Sequence, residues 1–153
     1  TVAERVKGER LRANAVEALA RRMRRERTGF SESMPVACEQ VSLVEFKADG
    51  HHRVRANALR AMLAFGDSHA AAGELVGMLR DERPGHRLAA VWLASRALTI
   101  DGRTSVGRRW TELASHVVRM ARGERDERVR RRAAVCAARV CGCADWSPST
   151  RSS

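Results

Sequence analysis

Apolar residues return along this chain at helical rather than strand spacing. Leu11, Ala15, Leu19 and Met23 step by four and predict a helix over 9–25 that ends in a run of arginines. Gly29 and Ser31 interrupt it. Ser33 then reads as an N-cap with Pro35 in the first turn, and Val41, Val44 and Phe46 supply a second stripe up to Lys47. After the turn at Asp49 and Gly50, Val54, Ala58, Met62 and Phe65 mark a third helix that stops at Gly66. Asp67 is placed to cap a fourth, in which Ala72, Leu75, Val76 and Leu79 follow the i, i+3, i+4, i+7 template. A turn over 81–85 leads to a fifth helix near 86–98, apolar almost all round apart from Arg87, Ser95 and Arg96, which predicts deep burial. Val106, Trp110, Leu113, Val117 and Met120 outline a sixth that closes at Gly123. Val129, Ala133, Cys136, Ala137 and Val140 outline a seventh near 125–140. The expectation is an all-α fold of seven helices, with a disordered tail over 142–153.

A second regularity lies over this one. An arginine stands at Arg12, Arg55, Arg87 and Arg130, and an alanine follows three residues later at Ala15, Ala58, Ala90 and Ala133, so the arginines are 43, 32 and 43 residues apart. Periods of this length mark repeat architectures, in which a helix pair buries its apolar face only by stacking on its neighbours. The predicted units lie near 9–48, 51–80, 84–122 and 125–141, about three and a half helix pairs in one array over 1–141. The alanine has a packing reason, since a small side chain lets neighbouring helices approach. The arginine has a candidate partner six residues upstream: Asp49 before Arg55, Asp81 before Arg87, Glu124 before Arg130. A ladder of such pairs would tie each repeat to the next, and Asn14 and Asn57 are expected to bond turn backbone.

An acid in the turn, then Val54-Arg55-Ala56-Asn57-Ala58-Leu59, a second amphipathic helix and another turn resembles the HEAT repeat. The stretch 49–93 is similar to bacterial HEAT-repeat proteins of the short, PBS-lyase-like type. The resemblance covers about residues 9–141, strongest in the second unit and weaker in the first, whose inter-helix loop is irregular. It implies a right-handed α-solenoid that serves protein partners as a scaffold, and few such proteins are enzymes. Deoxyhypusine hydroxylases share the helix layout but hold two irons with His-Glu pairs, and no histidine here is followed by glutamate. Chromophore lyases of this repeat type offer no short motif to carry over. HEAT-like DNA glycosylases need a catalytic acid and groove aromatics for which this sequence gives no position.

Composition adds charge to the picture. The chain has 153 residues and a net charge of +11, carried almost wholly by arginine, since Lys7 and Lys47 are the only lysines. Arg21, Arg22, Arg24 and Arg25 crowd the end of the first helix, Arg108 and Arg109 open the sixth, and Arg119, Arg122, Arg131 and Arg132 surround the last turn. These ten are the candidate contacts to a polyanion or an acidic protein. A stripe of them would bind phosphates in a salt-dependent way, whereas a merely solvated basic face has no ligand.

Other chemistry is sparse. Cys136 sits on an apolar stripe, and Cys141 and Cys143 lack the paired spacing of structural zinc, so neither a metal nor another cofactor is expected. Gly66, Gly73, Gly77 and Gly85 follow no strand and make no phosphate loop. His69, His86 and His116 are isolated, with surface or turn roles expected; Trp92 and Trp110 read as core, and Trp146 as a loose or docking residue of the tail. The longest apolar run, residues 88–94, is far short of the roughly 20 needed to cross a bilayer. Four cysteines without a secreted-scaffold spacing fit a reducing cytoplasm, and a chain opening on Thr1-Val2-Ala3 reads as a piece of a larger protein. The expectation is thus a non-enzymatic interaction scaffold, with a basic solenoid binding DNA or RNA as the alternative.

Overall fold

The computed structural model describes residues 2–28, 45–65, 68–100 and 108–142, with side chains for 7–21, 45–64, 69–98 and 110–142. They form six α-helices: α1 (Val2–Thr28), α2 (His52–Phe65), α3 (Ser68–Leu79), α4 (Pro84–Ile100), α5 (Arg108–Gly123) and α6 (Glu127–Cys141). No strand occurs among the described residues. The predicted second helix lies for the most part outside them, as do Gly66, Asp67, Val106, Cys143, Trp146 and the rest of the tail.

The other six predicted helices are present, with shifted ends. α4 begins at Pro84, inside the span 81–85 that the sequence predicts as a turn; proline suits a first helical turn because its fixed φ is helical and no N–H is wanted there. α6 has both ends capped. Asp126 accepts the Val129 N–H at 3.1 Å, and Gly142 adopts φ 66°, open to glycine without strain, so that its N–H reaches the Ala138 carbonyl.

The chain divides into two compact units, residues 1–71 and 72–153. In the first, α1 packs on α2; in the second, α6 packs on both α5 and α4, and α4 also touches α5. Core positions are most informative when counted from the recurring arginine. One step before it, and three, six and seven steps after it, α2 buries Val54, Ala58, Ala61 and Met62, α4 buries His86, Ala90, Leu93 and Ala94, and α6 buries Val129, Ala133, Cys136 and Ala137. In α1 the same face is open: Leu11 is 60% exposed, Ala15 is exposed and Leu19 is half-buried.

The stripe the sequence predicted for α1, and the packing role assigned to Ala15, are therefore corrected. α1 instead buries Ala13, Val16 and Ala20, one, four and eight steps after Arg12, because α2 is the helix that packs against it among the described residues. α6 shows the converse. It packs on α4 and α5, both earlier in the chain, and its positions at one, four and eight steps, Arg131, Ala134 and Ala138, are exposed or half-buried. Which of the two faces is buried in a given copy follows from where its neighbour packs.

The fifth predicted helix, now α4, is less enclosed than its composition suggests. Leu88 and Trp92 are half-buried, Ser95 is inside, and the exposed Arg96 lays its guanidinium 4.5 Å from the Trp92 ring centroid. Trp110 is half-buried too. His86, expected at the surface, is 3% exposed with its ring near the Asp81 carboxylate.

Candidate functional site

The three turn acids share one local geometry. Each accepts the backbone N–H two residues on: His51 to Asp49 at 2.7 Å, Arg83 to Asp81 at 3.0 Å, Asp126 to Glu124 at 2.9 Å. This closes the turn and orients a carboxylate outward from it. In two of the turns the arginine six residues later does reach back, but to main chain. Arg87 Nη1 donates to the carbonyls of Asp81 (2.9 Å) and Glu82 (2.7 Å), and Arg130 Nη1 to the carbonyl of Glu124 (3.0 Å).

The carboxylates of Asp49 and Glu124 instead take the arginine of the previous copy, 37 residues upstream in both units. Arg12 Nε donates to Asp49 Oδ2 at 3.1 Å, and Arg87 grips Glu124 with two bonds of 3.0 and 2.9 Å. Two acid-to-arginine rungs are present, at Asp49 and Glu124, and each joins successive copies of the pattern within one unit rather than closing inside one copy; the Asp81 carboxylate pairs instead with Arg83 and lies near His86. Burial grades them. Arg12 and Asp49 side chains are 46% and 13% exposed, Arg87 and Glu124 only 17% and 9%. Burial alone would raise the Glu124 pKa; hydrogen bonds from Arg87 and from the Asp126 and Arg125 N–H groups outweigh it and hold the carboxyl below its ordinary value. The Arg83 guanidinium and N–H hold Asp81 well below the usual carboxylate range.

Asn57 extends the same logic. Its Nδ2 donates at 3.2 Å to the carbonyl of Ala13 in α1, so it bonds a neighbouring helix and not its own turn, as the sequence suggested; Asn14 is exposed.

The candidate polyanion contacts are less uniform. Arg22, Arg24 and Arg25 lie in α1, and Arg108 and Arg109 open α5, with side chains outside the described residues. Arg21 is exposed and paired to Glu17 at 2.9 Å, and Arg131 is paired to Glu127 one turn away. Arg122 and Arg132 are exposed, with Arg125 and Arg128 close to them in sequence and also exposed.

Arg119 belongs to a group that the sequence did not reveal. Glu112, His116 and Arg119 fall on one side of α5, and Arg80, from the turn after α3, meets them there. Arg80 Nε and Nη2 lie 3.1 and 2.6 Å from His116 Nε2, Arg80 Nη2 is 3.4 Å from Glu112, and Arg119 Nη2 is 3.1 Å from each ring nitrogen. Desolvation lowers the His116 pKa, and the charges of Arg119 and Arg80 lower it further against the opposing pull of Glu112. His116 is thereby kept neutral at pH 7. The i, i+4, i+7 spacing of Glu112, His116 and Arg119 was visible in the sequence. The approach of Arg80 was not.

No match to this chain is found among protein-family models, curated proteins or solved structures. Its site must be read from its own geometry. Among the described residues no three histidine, cysteine, aspartate or glutamate side chains are grouped to hold a metal ion, and no helix is long and apolar enough to cross a membrane. Cys136 is buried, which pushes its thiol pKa up, and Cys141 is exposed.

Proposed function

We propose that this chain is a HEAT-like, right-handed α-solenoid acting as a non-enzymatic scaffold for a protein partner, an acidic surface or a neighbouring domain. The observation that carries the reading is the rung repeated at one spacing, Arg12 to Asp49 and Arg87 to Glu124, each 37 residues apart. A stack of equivalent helix pairs needs the same link between successive copies, and it explains why α1 and α6 leave opposite faces open. Such a stack devotes its recurring residues to architecture and presents its remaining charge to partners. A cytoplasmic location belongs to the same proposal, supported by thiols at Cys136 and Cys141 that are not in disulfides.

A second reading is favoured by one feature, the exposed Arg122, Arg125, Arg128 and Arg132 around the α5–α6 corner, which suit the phosphates of DNA or RNA. Fluorescence anisotropy of a labelled duplex and a single strand, titrated at several salt concentrations, separates the two. The scaffold reading expects no binding tighter than about 100 μM at physiological salt. Micromolar binding with a steep salt slope, abolished by replacing Arg122, Arg125, Arg128 and Arg132 together, would replace it with the nucleic-acid reading.

A further inference from the structure

The group around His116 is built in a way that its own members do not satisfy. A neutral imidazole offers one lone pair, yet two guanidiniums, each with up to five N–H donors, converge on it. Glu112 takes a share of Arg80 at 3.4 Å, a long contact, so among the described residues of this group donors exceed acceptors and positive charge exceeds negative. The Arg80 side chain is 60% exposed, Arg119 is exposed and His116 is half-buried, so a small solute can reach all three. From the turn after α3 the charged group facing the ring is Arg80; from α5 they are Glu112 and Arg119.

An oxyanion supplies what is missing. It brings several lone pairs, accepts from both guanidiniums at once, and turns the imidazole from a crowded acceptor into a third donor by letting it take a proton. A dianion is the better match than a monoanion. With the ring protonated, the three cations and Glu112 leave a local excess of two positive charges, which a phosphate monoester or inorganic phosphate neutralises and a carboxylate or phosphodiester does not. We propose that Arg80, His116 and Arg119 form a binding site for a dianionic phosphoryl group, and that binding is coupled to protonation of His116. The site goes beyond the scaffold reading and does not depend on it.

The experiment is an NMR titration of the imidazole Cε1–H signals of the full chain in rising inorganic phosphate, at constant ionic strength made up with chloride. The five histidines are His51, His52, His69, His86 and His116, and His116→Gln assigns the last. In phosphate the His116 pKa is expected to rise by about one unit or more while the other four stay put. Arg80→Gln and Arg119→Gln, both at exposed positions and checked for an unchanged melting temperature, should each weaken binding at least about fivefold. N-acetyl phosphoserine amide in place of inorganic phosphate tells a protein-borne phosphoryl group from the free ion by which saturates at the lower concentration. Dimethyl phosphate, a monoanionic diester, should leave the His116 pKa where it was. A His116 signal that moves no more than its four counterparts, phosphate binding undiminished in both arginine variants, or an equal response to the diester would each overturn the proposal.

Discussion

Replacing Arg87 by alanine isolates the energetic role of the inter-copy rung. Arg87 spends its guanidinium on four contacts, two to the Glu124 carboxylate and two to the carbonyls of Asp81 and Glu82, with side chains 17% and 9% exposed across the pair. Its loss leaves Glu124 with the Asp126 and Arg125 N–H groups but without its countercharge, and leaves two turn carbonyls short of a donor. Stranding one member of a buried pair costs about 3–5 kcal/mol, and the residual solvent contact of Arg87 places this case near the lower figure, about 3 kcal/mol. Arg131 supplies the control. It carries the same charge and is also paired to a glutamate, but at 79% and 59% exposure the pair is worth about 0.5 kcal/mol or less. The assay is urea unfolding followed by tryptophan fluorescence, which reports on residues 72–153 because Trp92, Trp110 and Trp146 all lie there. If Arg87→Ala and Arg131→Ala unfold at the same urea concentration, burial does not grade these pairs and the rung is not a structural link.

Three more outcomes are expected. Because the Glu124 carboxyl titrates below its ordinary value in the fold, its stabilisation is present above the unfolded pKa near 4.3 and is lost as pH falls through the folded one; urea midpoints from pH 7 to 3 should fall less steeply for Glu124→Gln than for the parent chain, from a lower starting value. Ala90→Leu, at a fully buried position, should cost about 1–3 kcal/mol by overpacking, while Ala15→Leu at the open face of α1 should lie within about 0.5 kcal/mol of neutral by circular dichroism melts. Alkylation followed by peptide mapping should label Cys141 well before Cys136, whose buried thiol is held protonated; equal rates would contradict the packing of α6.

The sequence made the helices legible because their apolar periodicity is strong, and it made the recurring arginine legible because an alanine follows it by three residues in each copy and an acid, Asp49, Asp81 or Glu124, stands six residues before it in three turns. What it hid was which partner each group takes. An offset of six within one turn is visible in a string of letters; a bond across 37 residues exists only once two helices lie side by side. The Leu11, Ala15, Leu19 stripe failed for a related reason. Periodicity says which residues share a face of α1, but whether that face is covered depends on which neighbour arrives, and among the described residues α2 arrives at Ala13, Val16 and Ala20. Arg80 belongs to the same class of omission, since its distance from His116 in sequence gives no hint that the two meet.

The choice of arginine at the rung positions follows from the geometry itself. Arg87 must grip a carboxylate with Nε and Nη2 while Nη1 bridges two carbonyls of its own turn, and only a planar fork with donors on both sides does that from one side chain. A lysine ammonium is a single point with three donors and would have to abandon either the turn or the neighbouring copy. The same reasoning separates two populations within the net charge of +11. Arg12, Arg87 and Arg130 are spent on the chain itself, where they answer turn carboxylates and carbonyls. Arg80 and Arg119 are not matched in this way, for they meet each other's charge across a neutral ring with, among the described residues, Glu112 opposed to them. An arginine that finds its acid at home tells of architecture, and two that crowd a histidine point outward to a ligand.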